Sequence, residues 1–184
     1  MRRFLFLVLA AASLAACKHP EARRPVSQSG GSYIDSSVAR NKEINEAEEK
    51  AIKDLMQSRP ETEFLSSTDG FWYFYNTKDS LATQMPQTGD VVRYTYNLKK
   101  LSGETITSQE EAGEQTYQID QSNQELMSGL RQGLKLMKPG ETVTFLLPSH
   151  KAFGYYGLAG KIGANWPIQT TVTLIEIENS DKDD

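Results

Sequence analysis

Cysteine is almost absent from this chain: among 184 residues there is one, Cys17. A single cysteine excludes an internal disulfide and a multi-cysteine metal site. Histidine is nearly as scarce, with only His19 and His150. The chain therefore carries no metal-ligand cluster and no Ser/His/Asp set of the kind that builds an acyl-transfer site. Positive charge is also in deficit, with 20 Lys and Arg against 24 Asp and Glu. Removing Arg2 and Arg3 with the leader described next leaves 18 against 24, a net charge of −6. No basic patch occurs outside Lys18 to Arg24. That excludes nucleic acid as a partner, which requires a cationic footprint to displace counterions. Long apolar runs are missing too, and Phe4 to Leu9 is far too short to span a bilayer.

What is present begins with an address. Arg2 and Arg3 make a positive start, Phe4 to Leu9 an apolar core, and Leu14-Ala15-Ala16 places small residues before Cys17. Residues 1–16 thus read as a secretory signal. Leu-Ala-Ala-Cys resembles a bacterial lipobox, which implies that Cys17 becomes the lipidated first residue of the mature protein and anchors it to a membrane. An ordinary signal peptide with an incidental cysteine is the plainer alternative. The isolation of Cys17 favours lipidation, since a free thiol in an exported protein otherwise lacks a reason. Lys18 stands where an aspartate retains some lipoproteins in the inner membrane, so that rule points to the outer membrane, facing the periplasm.

Residues 17–33 are rich in Pro, Ser, Gly and basic residues without hydrophobic period, a flexible tether. Residues 34–60 hold a helix from about Ser37 to Ser58, capped by Ser36 or Ser37. Ile44, Ala47, Ala51, Ile52, Leu55 and Met56 form its apolar stripe, opposite Lys42, Glu43, Glu46, Glu49, Lys50 and Lys53. That helix packs on its own domain or docks on a second molecule. From residue 61 the pattern turns to β. Phe71 to Tyr75 is a dense aromatic run suited to a strand. Over Val91 to Leu98, Val92, Tyr94, Tyr96 and Leu98 alternate with Val91, Arg93, Thr95 and Asn97. Thr105–Thr107, Thr116–Ile119, Val143–Leu147 and Thr170–Ile177 read as further strands. Between them Leu126, Met127, Leu130, Leu134 and Met137 recur at helical spacing until Lys138-Pro139-Gly140 stops the run. Residues 61–178 thus form an α+β domain, a bent antiparallel sheet with one helix in its concave face, preceded by the extra helix and followed by a charged tail at 179–184.

Residues from about Gly89 to Glu178 resemble the FKBP-type peptidyl-prolyl isomerases. The likeness is carried by Gly89-Asp90-Val91-Val92-Arg93-Tyr94-Thr95, Gly103 with Ile106, and Glu125-Leu126-Met127 with Gly129-Leu130. Gly133-Leu134, Met137, Gly140, Pro148 and Ala152-Phe153-Gly154 continue it in the same order and spacing. The leader, tether and helix ahead of such a domain are similar to gliding-motility-associated isomerase lipoproteins. The resemblance implies turnover of Xaa-Pro bonds in proline-containing polypeptides, without metal or cofactor, and possible partners among envelope machinery subunits. It implies a catalytic pocket of Tyr94, Met127, Leu130 and Phe153, with Ile106, Tyr117, Leu126 and Ile162 binding substrate. The residues alone allow a plainer reading, in which Leu126, Met127 and Leu130 are core packing and Tyr94 is a strand aromatic with its hydroxyl in water.

The chain also departs from the family pattern. Leu130 replaces a tryptophan floor, Ile106-Thr107 a Phe-Asp pair, Phe153 a tyrosine, and Ile162-Gly163-Ala164 an Ile-Pro-Pro flap. These changes keep an apolar pocket while removing polar contacts. They imply weak binding of the family's macrolide inhibitors and slow catalysis. The opposing expectation is a binding module that kept the fold and lost the reaction.

Overall fold

A computed structural model describes residues 30–79, 83–121 and 126–178. The leader, Cys17, the tether to residue 29 and the tail at 179–184 lie outside the described residues. The order is α1 (Gly30–Gln57), β1 (Leu65–Ser66), β2 (Trp72–Thr77), β3 (Val91–Tyr96), β4 (Leu98–Lys100), β5 (Thr105–Thr107), α2 (Gln109–Ala112), β6 (Glu114–Gln118), α3 (Ser128–Leu134), β7 (Thr142–Leu147) and β8 (Ile168–Glu178). A single 3-10 turn, Ser149–Lys151, follows β7. The described strands form one antiparallel sheet in the order β1-β2-β7-β8-β3-β6, with β4 joined to β5 and β8. This is the expected α+β architecture.

The sheet's inner face is built by alternation. Val92, Tyr94 and Leu98 from β3 and β4, Val143, Phe145 and Leu147 from β7, and Ile168, Val172 and Leu174 from β8 all enter one buried cluster. A bulge sets the phase of the β3–β8 pair: Arg93 lies opposite Glu176 but Tyr94 opposite Leu174, so Ile175 is left over. The aromatic run uses both faces of β2. Phe71 and Tyr73 pack on Phe145 at 5.8 and 6.1 Å between ring centres. On the other side Phe74 meets Phe64 edge-on at 5.2 Å.

Helix α3 is shorter than the sequence pattern implies. Met127 is extended (φ −53°, ψ 138°) and precedes the helix, and Leu136 and Met137 donate back to Gly133 and Leu134 in tight turns beyond it. Two glycines let α3 lie directly on β7. A Cβ at Gly129 would fall 2.7 Å from a Leu147 methyl, and one at Gly133 would fall 2.8 Å from the Phe145 ring. The turn after α3 is fixed by a buried carboxylate: Glu141 accepts from the backbone N–H of Lys138 at 2.9 Å and of Asp79 at 3.3 Å.

Contacts divide the chain into one unit at 1–38 and another at 39–184. In the first, the described residues are helical, with Ile34 and Val38 exposed. The helix starts at Gly30, so Ser36 and Ser37 lie within it rather than capping it. In the second unit the buried stripe of α1 also differs from expectation. Ala47 and Ala51 are exposed, whereas Glu48 is buried between Ile44 and the fully buried Ile52, at i, i+4 and i+8. Lys53 stands 5.9 Å over the Trp72 ring, which locates this part of α1 on the outer face of β2. Among the described residues no helix is long and apolar enough to cross a membrane.

Candidate functional site

All eight residues singled out for the pocket lie in, or pack against, the buried cluster that forms the domain's core. Tyr94, Met127, Leu130 and Ile162 belong to the buried cluster, and Ile106, Tyr117, Leu126 and Phe153 pack against it half-buried. They arrive from β3, β5, β6, the segment entering α3, α3 itself and the loop between β7 and β8. β3 supplies Tyr94 because its alternation points every second residue inward, and the Tyr94–Gln115 and Val92–Tyr117 pairs bring β6 alongside. The plainer reading of Tyr94 fails, since it is 2% exposed rather than directed into water. Leu130 is fully closed to solvent. The site is therefore a sealed apolar floor with a half-exposed rim. The same cluster takes in strand residues that were read as sheet positions and not as site members, among them Leu98, Ile119, Val172 and Leu174. The inward phase of β4 and β8 carries the signal for Leu98, Val172 and Leu174, and Ile119 directly follows β6.

The loop over the site is hydrogen-bonded at both ends. Ala152 and Gly154 both donate to the carbonyl of Ser149, at 2.9 and 2.8 Å, which fixes Phe153 between them. Farther on, Leu158 and Ile162 form an isolated antiparallel bridge, with N–H···O distances of 2.9 and 2.8 Å in the two directions. Gly157 opens this hairpin at φ +64°, and its missing Cβ would lie 2.2 Å from the Ile162 carbonyl oxygen. Lys161 ties the hairpin to α2 through Glu111. The ammonium holds the Glu111 carboxyl below the usual carboxylate range. Ser108 caps α2 by accepting from the Glu111 N–H at 3.1 Å.

Two tyrosines set the polarity of the site. Burial, then negative charge on Tyr96 and Tyr117, pushes the Tyr94 phenol far above its ordinary 10.0. The folded chain therefore holds this proton where the unfolded chain releases it. Its contribution to stability is complete below about pH 10 and is lost progressively above that. Denaturation midpoints across alkaline pH should fall less steeply for Tyr94→Phe than for the wild-type protein. The Tyr117 hydroxyl is buried and has no hydrogen-bond partner among the described residues. An orphaned buried donor costs about 1–3 kcal/mol. Tyr117→Phe should accordingly leave the urea midpoint unchanged or raise it, and a clear fall would show that the hydroxyl has a partner. No group of His, Cys, Asp and Glu suited to a metal ion occurs among the described residues.

Residues 82–175 match the sequence model of a family described as FKBP-type peptidyl-prolyl cis-trans isomerase. The human peptidyl-prolyl cis-trans isomerase FKBP9 is 26% identical over 114 residues, covering 56% of this chain and 20% of that protein. The probable FKBP-type peptidyl-prolyl cis-trans isomerase FkpA of Neisseria meningitidis serogroup B is 25% identical over 150 residues, 79% of this chain and 53% of the relative. The chain thus spans a fifth of the first relative and about half of the second. The crystal structure of FkpA from Escherichia coli shares the fold, with a TM-score of 0.59 at 18% identity over 98% of this chain and 83% of the other.

Proposed function

The chain belongs to the FKBP-type peptidyl-prolyl cis-trans isomerase family, and on that premise we propose that it accelerates rotation about Xaa-Pro bonds in polypeptides of the cell envelope. The observation that carries this reading is that Tyr94, Met127, Leu130 and Ile162 share one buried apolar cluster, with Phe153 packed against it, inside the family-matched region. The reaction asks for little else. The prolyl amide rotates slowly because resonance gives its C–N bond partial double-bond character, with a barrier of about 18–20 kcal/mol. A twisted amide has lost that resonance and its charge separation, so a dry apolar surface favours it over the planar form. Even a thousandfold acceleration needs only about 4 kcal/mol. Leu130 supplies a dry floor, Phe153 and Ile162 add apolar surface to the same cluster, and the Tyr117 hydroxyl, without a partner among the described residues, is a donor for substrate.

The leader and Cys17 support attachment by lipid, and Lys18 supports the outer membrane, facing the periplasm. Exported proteins and subunits of an envelope or gliding machine are the clients consistent with that place. A second reading is favoured by one observation: Leu130 is 0% and Tyr94 2% exposed, so the floor is covered in the free protein. A site whose rim does not part for a proline ring is a binding module. The test is refolding of a protein limited by a prolyl step, which takes tens to hundreds of seconds unaided. Catalytic amounts of the full-length protein should shorten that phase. An unchanged phase at stoichiometric amounts would favour the module.

A further inference from the structure

Helix α1 carries a charge in its buried stripe. Glu48 is 6% exposed, between two isoleucines that already define an apolar face. Removing a carboxylate from water is costly unless its oxygens find donors. Both oxygens of Glu48 do so on one residue: Oε2 accepts from the Ser149 backbone N–H at 2.7 Å, and Oε1 from the Ser149 hydroxyl at 2.7 Å. Ser149 is itself 3% exposed. The same residue's carbonyl then receives the N–H groups of Ala152 and Gly154, the two neighbours of Phe153. Gly154 in turn accepts from Asn165 at 2.9 Å, and Phe153 from Gly157 at 3.1 Å. A helix outside the family-matched residues 82–175 thereby grips the anchor point of the loop that walls the site.

We propose that Glu48 is a positioning residue for the isomerase site, setting Phe153 through Ser149. The inference rests on the proposed reaction. An apolar residue at position 48 would complete the stripe and dock α1 on the domain equally well. What the carboxylate adds is a two-point hold on Ser149. Displacing a substrate wall by about an ångström is enough to cost tenfold or more in rate.

The test compares Glu48→Ala, Glu48→Asp and Glu48→Gln in the full-length protein, below the melting temperature of each. Alanine has no acceptor, and aspartate is one methylene too short to reach Ser149. Glutamine keeps an acceptor for the N–H and a group that the hydroxyl can meet. The expected result is an approximately tenfold fall in kcat/KM for Glu48→Ala and Glu48→Asp, with most of the rate retained by Glu48→Gln. Amide exchange at Ala152 and Gly154, followed by NMR, should quicken in the first two alone. Where Glu48→Ala does not fold, Ser149→Ala, which removes one of the two bonds, should give a smaller loss of the same kind. A wild-type rate fully kept by folded Glu48→Ala overturns the inference and leaves the enzyme standing. So does a lost rate with unchanged exchange. No rate from the wild-type protein overturns the isomerase reading, and this inference with it.

Discussion

Leu130→Ala should destabilise the protein by about 2–5 kcal/mol, the range for truncating a fully buried leucine when its surroundings collapse only partly. Partial collapse is what the geometry dictates here. Leu130 sits on α3 in the sealed cluster, and α3 is pressed onto β7 at Gly129 and Gly133, where even a methyl has no room. The helix cannot sink to fill the gap without driving its own backbone into Leu147 and Phe145. Urea unfolding measures the loss directly, and a cost below about 1 kcal/mol would show that the floor is looser than described. Since folded domains hold only about 5–15 kcal/mol in total, activity of this variant has to be read at low temperature. There kcat/KM should still fall, because the floor no longer reaches a bound proline ring.

Gly157→Ala is expected to act on the site through the backbone. At φ +64° an alanine pays the left-handed penalty of roughly 1–2 kcal/mol. Its Cβ would also lie 2.2 Å from the Ile162 carbonyl oxygen and 2.9 Å from the Gly163 backbone. Neither neighbour is a flexible side chain able to swing aside, so the Leu158–Ile162 bridge must open. Gly160→Ala is the matched control, since it too has positive φ (+72°) but meets nothing within 4 Å. Gly160→Ala should show the conformational cost alone and keep its kcat/KM. Gly157→Ala should lose more stability than the control and drop kcat/KM by on the order of tenfold or more as Ile162 leaves the site. Equal behaviour of the two variants would mean that the hairpin is not part of the site.

The sheet and its inner face were legible because a half-buried strand writes its burial into every second residue. Val92, Tyr94 and Leu98 follow that rule to the letter. That the proposed site residues are apolar core or packed on it was legible for the same reason, supplemented by the order of short motifs along residues 89–178. Helix α3 was overread because Met127 and Met137 have helical spacing, yet the first is extended and the second lies beyond a tight turn. Hydrophobic period registers burial, and an extended residue at a helix entry can be buried too. The bulge at Ile175 leaves no mark in composition. Glu48 was hidden by the opposite error. Among the many charges of α1 it looked like one more solvated residue, whereas Ala47 and Ala51 looked like core. Burial at position 48 depends on Ser149, a hundred residues away in sequence, and no local pattern contains that partner.

The apolar site is proposed to turn over Xaa-Pro bonds. The most direct measurement is NMR exchange between the cis and trans forms of a short proline peptide, without a coupling protease, with the full-length protein and with Phe153→Ala. Phe153 lies on the half-exposed rim, so its truncation tests the site with little risk to the fold. Exchange well above the thermal rate is expected for the wild-type protein, with a large loss for Phe153→Ala. Exchange at the thermal rate with folded wild-type protein, across peptides varying in the residue before proline, would contradict it.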